Sequence, residues 1–173
     1  MGNVKLTVVL MAGFPGSGKT TLACALEREL GWHVVDKDRY RVELLKKGMK
    51  EDDAAYAAYD LSFKEIRLAL IEQQQSVIFD TAALYRFIID TVREIVDSVE
   101  GARLKVILCV VDRDVRNRRL RIRVVQNTRS TVEPDTITDY LQYFDHLPQD
   151  KLAIFTHKSI AECLTDAMAY VKS

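Results

Sequence analysis

Eight residues near the start of the chain, Gly13-Phe14-Pro15-Gly16-Ser17-Gly18-Lys19-Thr20, have the types and spacing G-x-x-x-x-G-K-[ST]. Glycines at 13, 16 and 18 let the backbone turn with positive φ and approach a ligand closely, which a Cβ would prevent. Such a turn aims successive N–H groups inward, and a helix starting at its end adds its positive dipole to the same point. Lys19 then reaches the outer phosphates of a nucleoside triphosphate, and the Thr20 hydroxyl joins the shell of a Mg²⁺ ion. The residues expected to hold ATP are Gly13, Pro15, Gly16, Ser17, Gly18, Lys19, Thr20 and Thr21, with Lys19 also acting in catalysis.

Three carboxylates and an arginine suit the rest of a phosphoryl-transfer site. Asp36 and Asp38 follow an apolar run that ends at Val35, and Asp80 ends another, Ser76-Val77-Ile78-Phe79-Asp80. A carboxylate facing the phosphates across a cleft can take the proton of an attacking hydroxyl. Arg41, three residues beyond Asp38, shares its face if a helix starts there, and can clamp an anionic acceptor. Asp80 is placed to hold Mg²⁺ together with Thr20. The simpler alternatives are that Asp38 N-caps the following helix with Arg41 solvated, and that Asp80 caps the helix after Ala83.

A third group is the arginine run Arg113, Arg116, Arg118, Arg119, Arg121, Arg123 and Arg129, with only Asp112 and Asp114 nearby. Charge runs are commonly solvated faces. Arg119 and Arg123 are nevertheless one above the other on a helix, able to stack on a base and touch phosphates as a closing lid. Arg129 extends that set toward the acceptor. Thr156-His157-Lys158 stands where a nucleotide base could rest. His33, His146 and His157 have no metal-ligand spacing and read as structural.

The elements that must position these groups alternate. Leu6–Met11, Trp32–Val35, Ser76–Asp80, Leu104–Val111 and Leu152–Thr156 read as strands. Lys19–Leu30, a charged stretch to about Lys47, Ala54–Gln75, Leu84–Val99 and Ile160–Val171 read as helices. The stripe of the third of these is Phe63, Ile66, Leu70 and Ile71. Pro134 opens a further helix through about Phe144, and residues 48–53 read as a polar turn or loop. Alternation of this kind predicts an α/β fold with a parallel sheet and right-handed crossovers. Ligands then gather at the carboxyl ends of the strands, where the glycine loop, Asp36, Asp38 and Asp80 all fall.

Composition narrows the classes. At 173 residues, 48% hydrophobic and with zero net charge, the chain suits one soluble domain rather than a polycation. Cys24, Cys109 and Cys163 are far apart in apolar contexts and read as reduced core residues. There is no leader-like segment and no membrane-length apolar run, so a cytoplasmic monomer or homodimer is expected. No Asn-Lys-x-Asp guanine reader occurs, and Thr81 follows Asp80 where an oligomeric motor ATPase has Glu.

These motifs resemble the P-loop kinases of the polynucleotide kinase, zeta toxin and chloramphenicol phosphotransferase type, the AAA_33 group, over nearly the full chain. Asp38-Arg39-Tyr40-Arg41 is similar to the polynucleotide kinase segment that holds the general base and the arginine for the acceptor's phosphate. Ser76–Thr81 is similar to its third-strand motif, and Arg119 with Arg123 to the lid pair of adenylate kinase-like enzymes. The resemblance implies a three-layer P-loop NTPase fold, a five-stranded sheet in the order 2-3-1-4-5 and an Arg-rich lid over about 113–133. It also implies ATP, Mg²⁺ and a hydroxyl-bearing acceptor: a nucleic acid 5′ end, a nucleotide or a small metabolite. Lys19, Asp38 and Arg123 are the expected catalytic groups. Asp36, Asp38, Arg41 and Arg129 are expected at the acceptor, and Thr20 and Asp80 at the metal. Adenylylsulfate kinase and zeta toxin carry segments similar to 36–41, and a regulatory ATPase without an acceptor is the competing class.

Overall fold

The computed structural model describes residues 5–125 and 142–173, with the backbone alone at 123–125. Five strands, β1 (Thr7–Ala12), β2 (His33–Asp36), β3 (Val77–Asp80), β4 (Arg103–Val110) and β5 (Leu152–Phe155), make one sheet. Their order is β2-β3-β1-β4-β5, and every pairing is parallel. Around it run α1 (Lys19–Leu30), α2 (Lys37–Lys46), α3 (Glu51–Arg67), α4 (Arg86–Asp97), α5 (Arg113–Val125) and α6 (Ile160–Lys172).

Both faces of the sheet are covered, and the alternation of β1 shows how. Val8 and Leu10 point into one cluster with Phe63 and Ile66 of α3 and Ile88 and Val92 of α4. Val9 and Met11 point the other way, onto Leu22 and Leu26 of α1 and Cys163 and Ala167 of α6. All six residues of β1 are buried. Burying each large aliphatic side chain stabilises the fold by about 1.5–3 kcal/mol, so the strand that carries the glycine loop is firmly anchored. Register then aligns the chemistry: Met11 and Asp36 are both the partners of Asp80 in the adjoining strands.

Four local readings needed correction. The stretch read as a loop at 48–53 already contains the start of α3, because Glu51, Asp52 and Asp53 in its first turn complement the helix dipole. The helix does not run evenly to Gln75. It passes into a π-turn at Leu68–Glu72, which rotates the apolar stripe and leaves Ile71 46% exposed. Helix α4 begins after Leu84, at Arg86, and Phe87 on its first turn faces outward. All three cysteines are free, but Cys24 is only partly buried. The helix expected from Pro134 lies outside the described residues except for a 3₁₀ turn at Gln142–Phe144.

Candidate active site

The glycine loop is locked by its surroundings. At Gly13, with φ of 138°, an added Cβ would stand 2.6 Å from Ser17 Oγ and 2.7 Å from the Cys109 carbonyl oxygen. The Gly13 N–H donates to the Ala82 carbonyl at 3.1 Å, tying the loop to the chain after β3. At Gly16, with φ of 84°, a Cβ would meet Arg116 Cγ at 3.0 Å. Helix α1 follows with Gly18 as its N-cap, no side-chain cap and no acid in its first turn. Its leading amides and dipole are therefore left for an anion. Lys19 and Thr20 open that turn, Pro15 and Gly16 make the turn before it, and Ser17 is wholly buried.

Asp80 stands at the end of β3, almost fully buried. Burial pushes its carboxyl above the usual range, and Asp36 and Asp38 push the same way, against Lys19 and the Thr20 hydroxyl that bonds to it. Its Oδ1 is buried without a hydrogen-bond partner. Asp80 caps nothing: the N-cap of α4 is Tyr85. An orphaned carboxylate oxygen beside a threonine hydroxyl is a pair of hard oxygen donors, and it fits Mg²⁺. Among the described residues no cluster of three or more His, Cys, Asp or Glu side chains is grouped to hold a metal ion.

Asp36, not Asp38, caps α2. The Asp36 carboxylate accepts from the backbone N–H of Asp38 at 3.0 Å and of Arg39 at 3.3 Å. Asp38 is thereby released from the capping role, and its side chain is 48% exposed, 2.8 Å from the Lys37 ammonium. Burial of the carboxyl pushes its pKa up. The charges of Lys37, Lys19 and Arg41 outweigh that, with the Lys37 hydrogen bond, and hold the group below the usual carboxylate range. Arg41 shares the Asp38 face as expected, but it is not idle. Its Nη2 pairs with Glu51 Oε1 at 2.6 Å, and its Nε donates to the same oxygen at 2.8 Å.

The arginine run divides. Arg116 is fully buried beneath the loop, its guanidinium 5.9 Å from the centroid of the Phe14 ring and bonded to Asn117 Oδ1. Arg119 bridges the loop and the end of β5: it donates to the Gly16 carbonyl at 3.3 Å and to the Thr156 carbonyl at 2.8 Å. Thr156 in turn donates its hydroxyl to the Ser17 carbonyl. The side chain of Arg123, Arg129, and the lid beyond residue 125 lie outside the described residues.

Beside Arg119 opens a cavity of about 430 Å³, lined by Gly18, Thr21, Leu22, Arg119, Ile122, Thr156, Lys158, Ile160 and Cys163. It adjoins the phosphate loop and suits a nucleotide base. Thr21 and the Thr156–Lys158 segment were anticipated there. Ile122, Ile160 and Cys163 were not, since in the sequence each is indistinguishable from a core residue.

The family model for AAA_33, described as an AAA domain, matches residues 8–147. The chain belongs to the AAA_33 family. That match takes in the loop, Asp36, Asp38, Arg41, Asp80 and the arginine run of this AAA_33 chain. No curated protein sequence matches it. Among solved structures, it is similar to a protein assigned as a kinase from Chloroflexus aurantiacus, at 18% identity and a TM-score of 0.76 over 98% of each chain. It is similar to the Mycobacterium tuberculosis APS kinase CysC in complex with AMPPNP and APS, at 18% identity and 0.66, covering 98% of this chain and 99% of that one. A gluconokinase from Sinorhizobium meliloti matches at 16% identity and 0.64, over 96% and 91%. At such identities the likeness establishes the P-loop kinase fold. No helix among the described residues is long and apolar enough to cross a membrane.

Proposed function

We propose that this AAA_33 chain acts as one ATP-dependent kinase domain in the cytoplasm, transferring the γ-phosphate of ATP to a hydroxyl group. The acceptor is a nucleic acid 5′ end, a nucleotide or a small metabolite. The observation that carries this reading is the placement of Asp38, which is within electrostatic reach of Lys19 and relieved of capping by Asp36. A nucleotide switch would need the loop but not a carboxylate released from capping on the neighbouring helix.

The loop amides and Lys19 hold the triphosphate, and the Lys19 ammonium gains most where charge collects on the leaving oxygen. Thr20 and Asp80 would hold Mg²⁺, which would supply neutralisation of the phosphate charges. Asp38 accepts the proton of the attacking hydroxyl, kept ionised by Lys37. Arg41 binds an anionic acceptor by exchanging Glu51 for it, and Asp36 fixes the start of the helix that carries both. Arg119 is the nucleotide-side arginine of α5, and by the family resemblance Arg123 would join it and Arg129 would bind the acceptor. Gluconokinase and APS kinase, which share the fold, mark small-molecule acceptors as part of the same range. The test is transfer of labelled γ-phosphate to a panel of hydroxyl compounds, with acceptor-dependent labelling expected; hydrolysis alone, indifferent to every acceptor, would favour the regulatory ATPase.

A further inference from the structure

Lys37 and Asp38 open α2 as consecutive residues, and consecutive side chains on a helix diverge rather than face each other. Their charged ends nevertheless stand 2.8 Å apart. On a free surface such a pair would contribute little, because holding a long lysine in one geometry costs side-chain entropy. Lys37 is not on a free surface. Its side chain is only 14% exposed, against 48% for that of Asp38. Something beneath the helix must bend the lysine back over its neighbour.

What lies beneath is Tyr59 of α3. The Lys37 ammonium stands over its ring, 5.3 Å from the centroid, within the range of a cation–π contact. The ring is buried and braced on two sides. Phe63 stacks on it at 6.1 Å with planes 25° apart, and Phe87 meets it edge-on at 5.4 Å. The Tyr59 hydroxyl accepts from the Thr81 hydroxyl at 3.4 Å, a long bond that adds little. The ring face is therefore the part of this residue that meets the cation. An aliphatic side chain could fill the same space, but it would present no negative face to an ammonium.

We infer that Tyr59 is a positioning residue of the site: its ring seats the Lys37 ammonium against Asp38, and so keeps the Asp38 carboxylate charged and oriented. The inference rests on the kinase reading for what that carboxylate does, and it extends the site by one layer, to α3. Burial raises the Asp38 carboxyl, and Lys37 is the foremost of the cations that offset it. Lys19 of α1 and Arg41 of α2 are the others. Asp80 at the end of β3 is within electrostatic reach with like charge, and Asp36 caps the same turn. Arg41 is held by Glu51, whereas Lys37 is held by the ring. Without the ring Lys37 turns to solvent, and Asp38 loses its closest counter-charge.

The experiment is NMR on the whole chain, with no nucleotide or acceptor added. It follows the Asp38 carboxyl carbon through a pH titration and the Lys37 ε-methylene protons at neutral pH. Loss of the signal in Asp38→Asn identifies the carboxyl. In the parent, the ring current of Tyr59 should move the Lys37 protons upfield; protons at the ordinary lysine position overturn the inference without any variant. Tyr59→Leu should abolish that upfield shift and move the Asp38 titration to higher pH, as Lys37→Met does. Tyr59→Phe keeps the ring face and should hold both signals at the parent positions. Added to Lys37→Met, Tyr59→Leu should move Asp38 no further. An unmoved titration in Tyr59→Leu overturns the inference, as does an equal further move in the double variant. A move in Tyr59→Phe as large as in Tyr59→Leu would assign the effect to the hydroxyl and overturn the role of the ring. The two readings fail separately, because none of these signals needs phosphoryl transfer. The expected shifts with no acceptor ever labelled would keep the seat and remove the kinase. Labelling of an acceptor with Lys37 unshifted would keep the kinase and remove the seat.

Discussion

The two halves of the cleft, the phosphate loop and the α2 side proposed to take the acceptor, are built on different physics. The donor half is one contiguous segment, residues 13–21, clamped by backbone bonds to Ala82 and by Arg119 and Thr156, with Ser17 and Phe14 buried beneath it. The acceptor half hangs on α2, which has no buried residue at all. Polar links hold that helix: Tyr40 donates to Glu65 at 2.7 Å, and Arg41 pairs with Glu51 at 2.6 Å. Burial and Glu65 push the Tyr40 phenol up to about 12, so it stays a donor across the working pH range. The contrast teaches that the phosphate cradle is preorganised, while the acceptor side is held by pairs a ligand can replace.

The largest effect should come from breaking the donor half at its charge. Lys19→Ala should lower turnover by at least about 10²–10³-fold, the cost of removing one preorganised group from the transition state. Its circular dichroism should match the parent, because no core contact depends on the ammonium.

Asp80→Asn sharpens the same half. Burial raises the Asp80 carboxyl, so the folded state holds that proton more tightly than the unfolded state does. The ionised carboxylate therefore costs stability as pH rises, and the neutral amide escapes that cost. Without ligand the variant should melt higher than the parent, yet lose the Tm gain that Mg²⁺ adds to ATP. A variant that melts lower without ligand would contradict the account of Asp80 as a carboxylate held ready for an ion.

Arg119→Ala should weaken ATP binding by about tenfold, the loss of hydrogen bonds from a charged donor that join the loop to Thr156. At saturating ATP the acceptor KM should not move. A shift in acceptor KM would mean that the two halves are coupled through α5.

The smallest expected change tests the acceptor half. Lys37→Met removes the ammonium that offsets burial at Asp38, so that carboxyl should rise. The acid limb of kcat/KM for the acceptor should then move to higher pH, with ATP affinity unchanged. A stationary limb would assign the titration to another group.

The same contrast explains what could be read in advance. The loop, Lys19–Leu30 as a helix, and Asp80 at a strand end were legible because each is encoded by neighbours in sequence. The sheet order followed from the resemblance and is the order found. Glu51 as the partner of Arg41 was not legible, because it lay in a polar stretch that looked like a loop. Arg116 was misread for the opposite reason. A charge run suggests solvent or a lid, and only the tertiary fold shows one of its members buried against Phe14. Ile122, Ile160 and Cys163 line the cavity beside Arg119 with ordinary core chemistry, which carries no sequence signal.

The central claim is that Asp38 makes this fold a kinase, and one comparison tests it most directly. Labelled γ-phosphate transfer from ATP is followed with the parent and Asp38→Asn against the same acceptor panel, alongside ATP Kd. The account predicts acceptor-dependent labelling by the parent, a fall of about 10²–10⁴-fold in the variant, and an unchanged ATP Kd. Transfer at the parent rate by Asp38→Asn would place the base elsewhere, with Asp36 first in line. Equal hydrolysis by both proteins, with no acceptor labelled, would contradict the kinase itself.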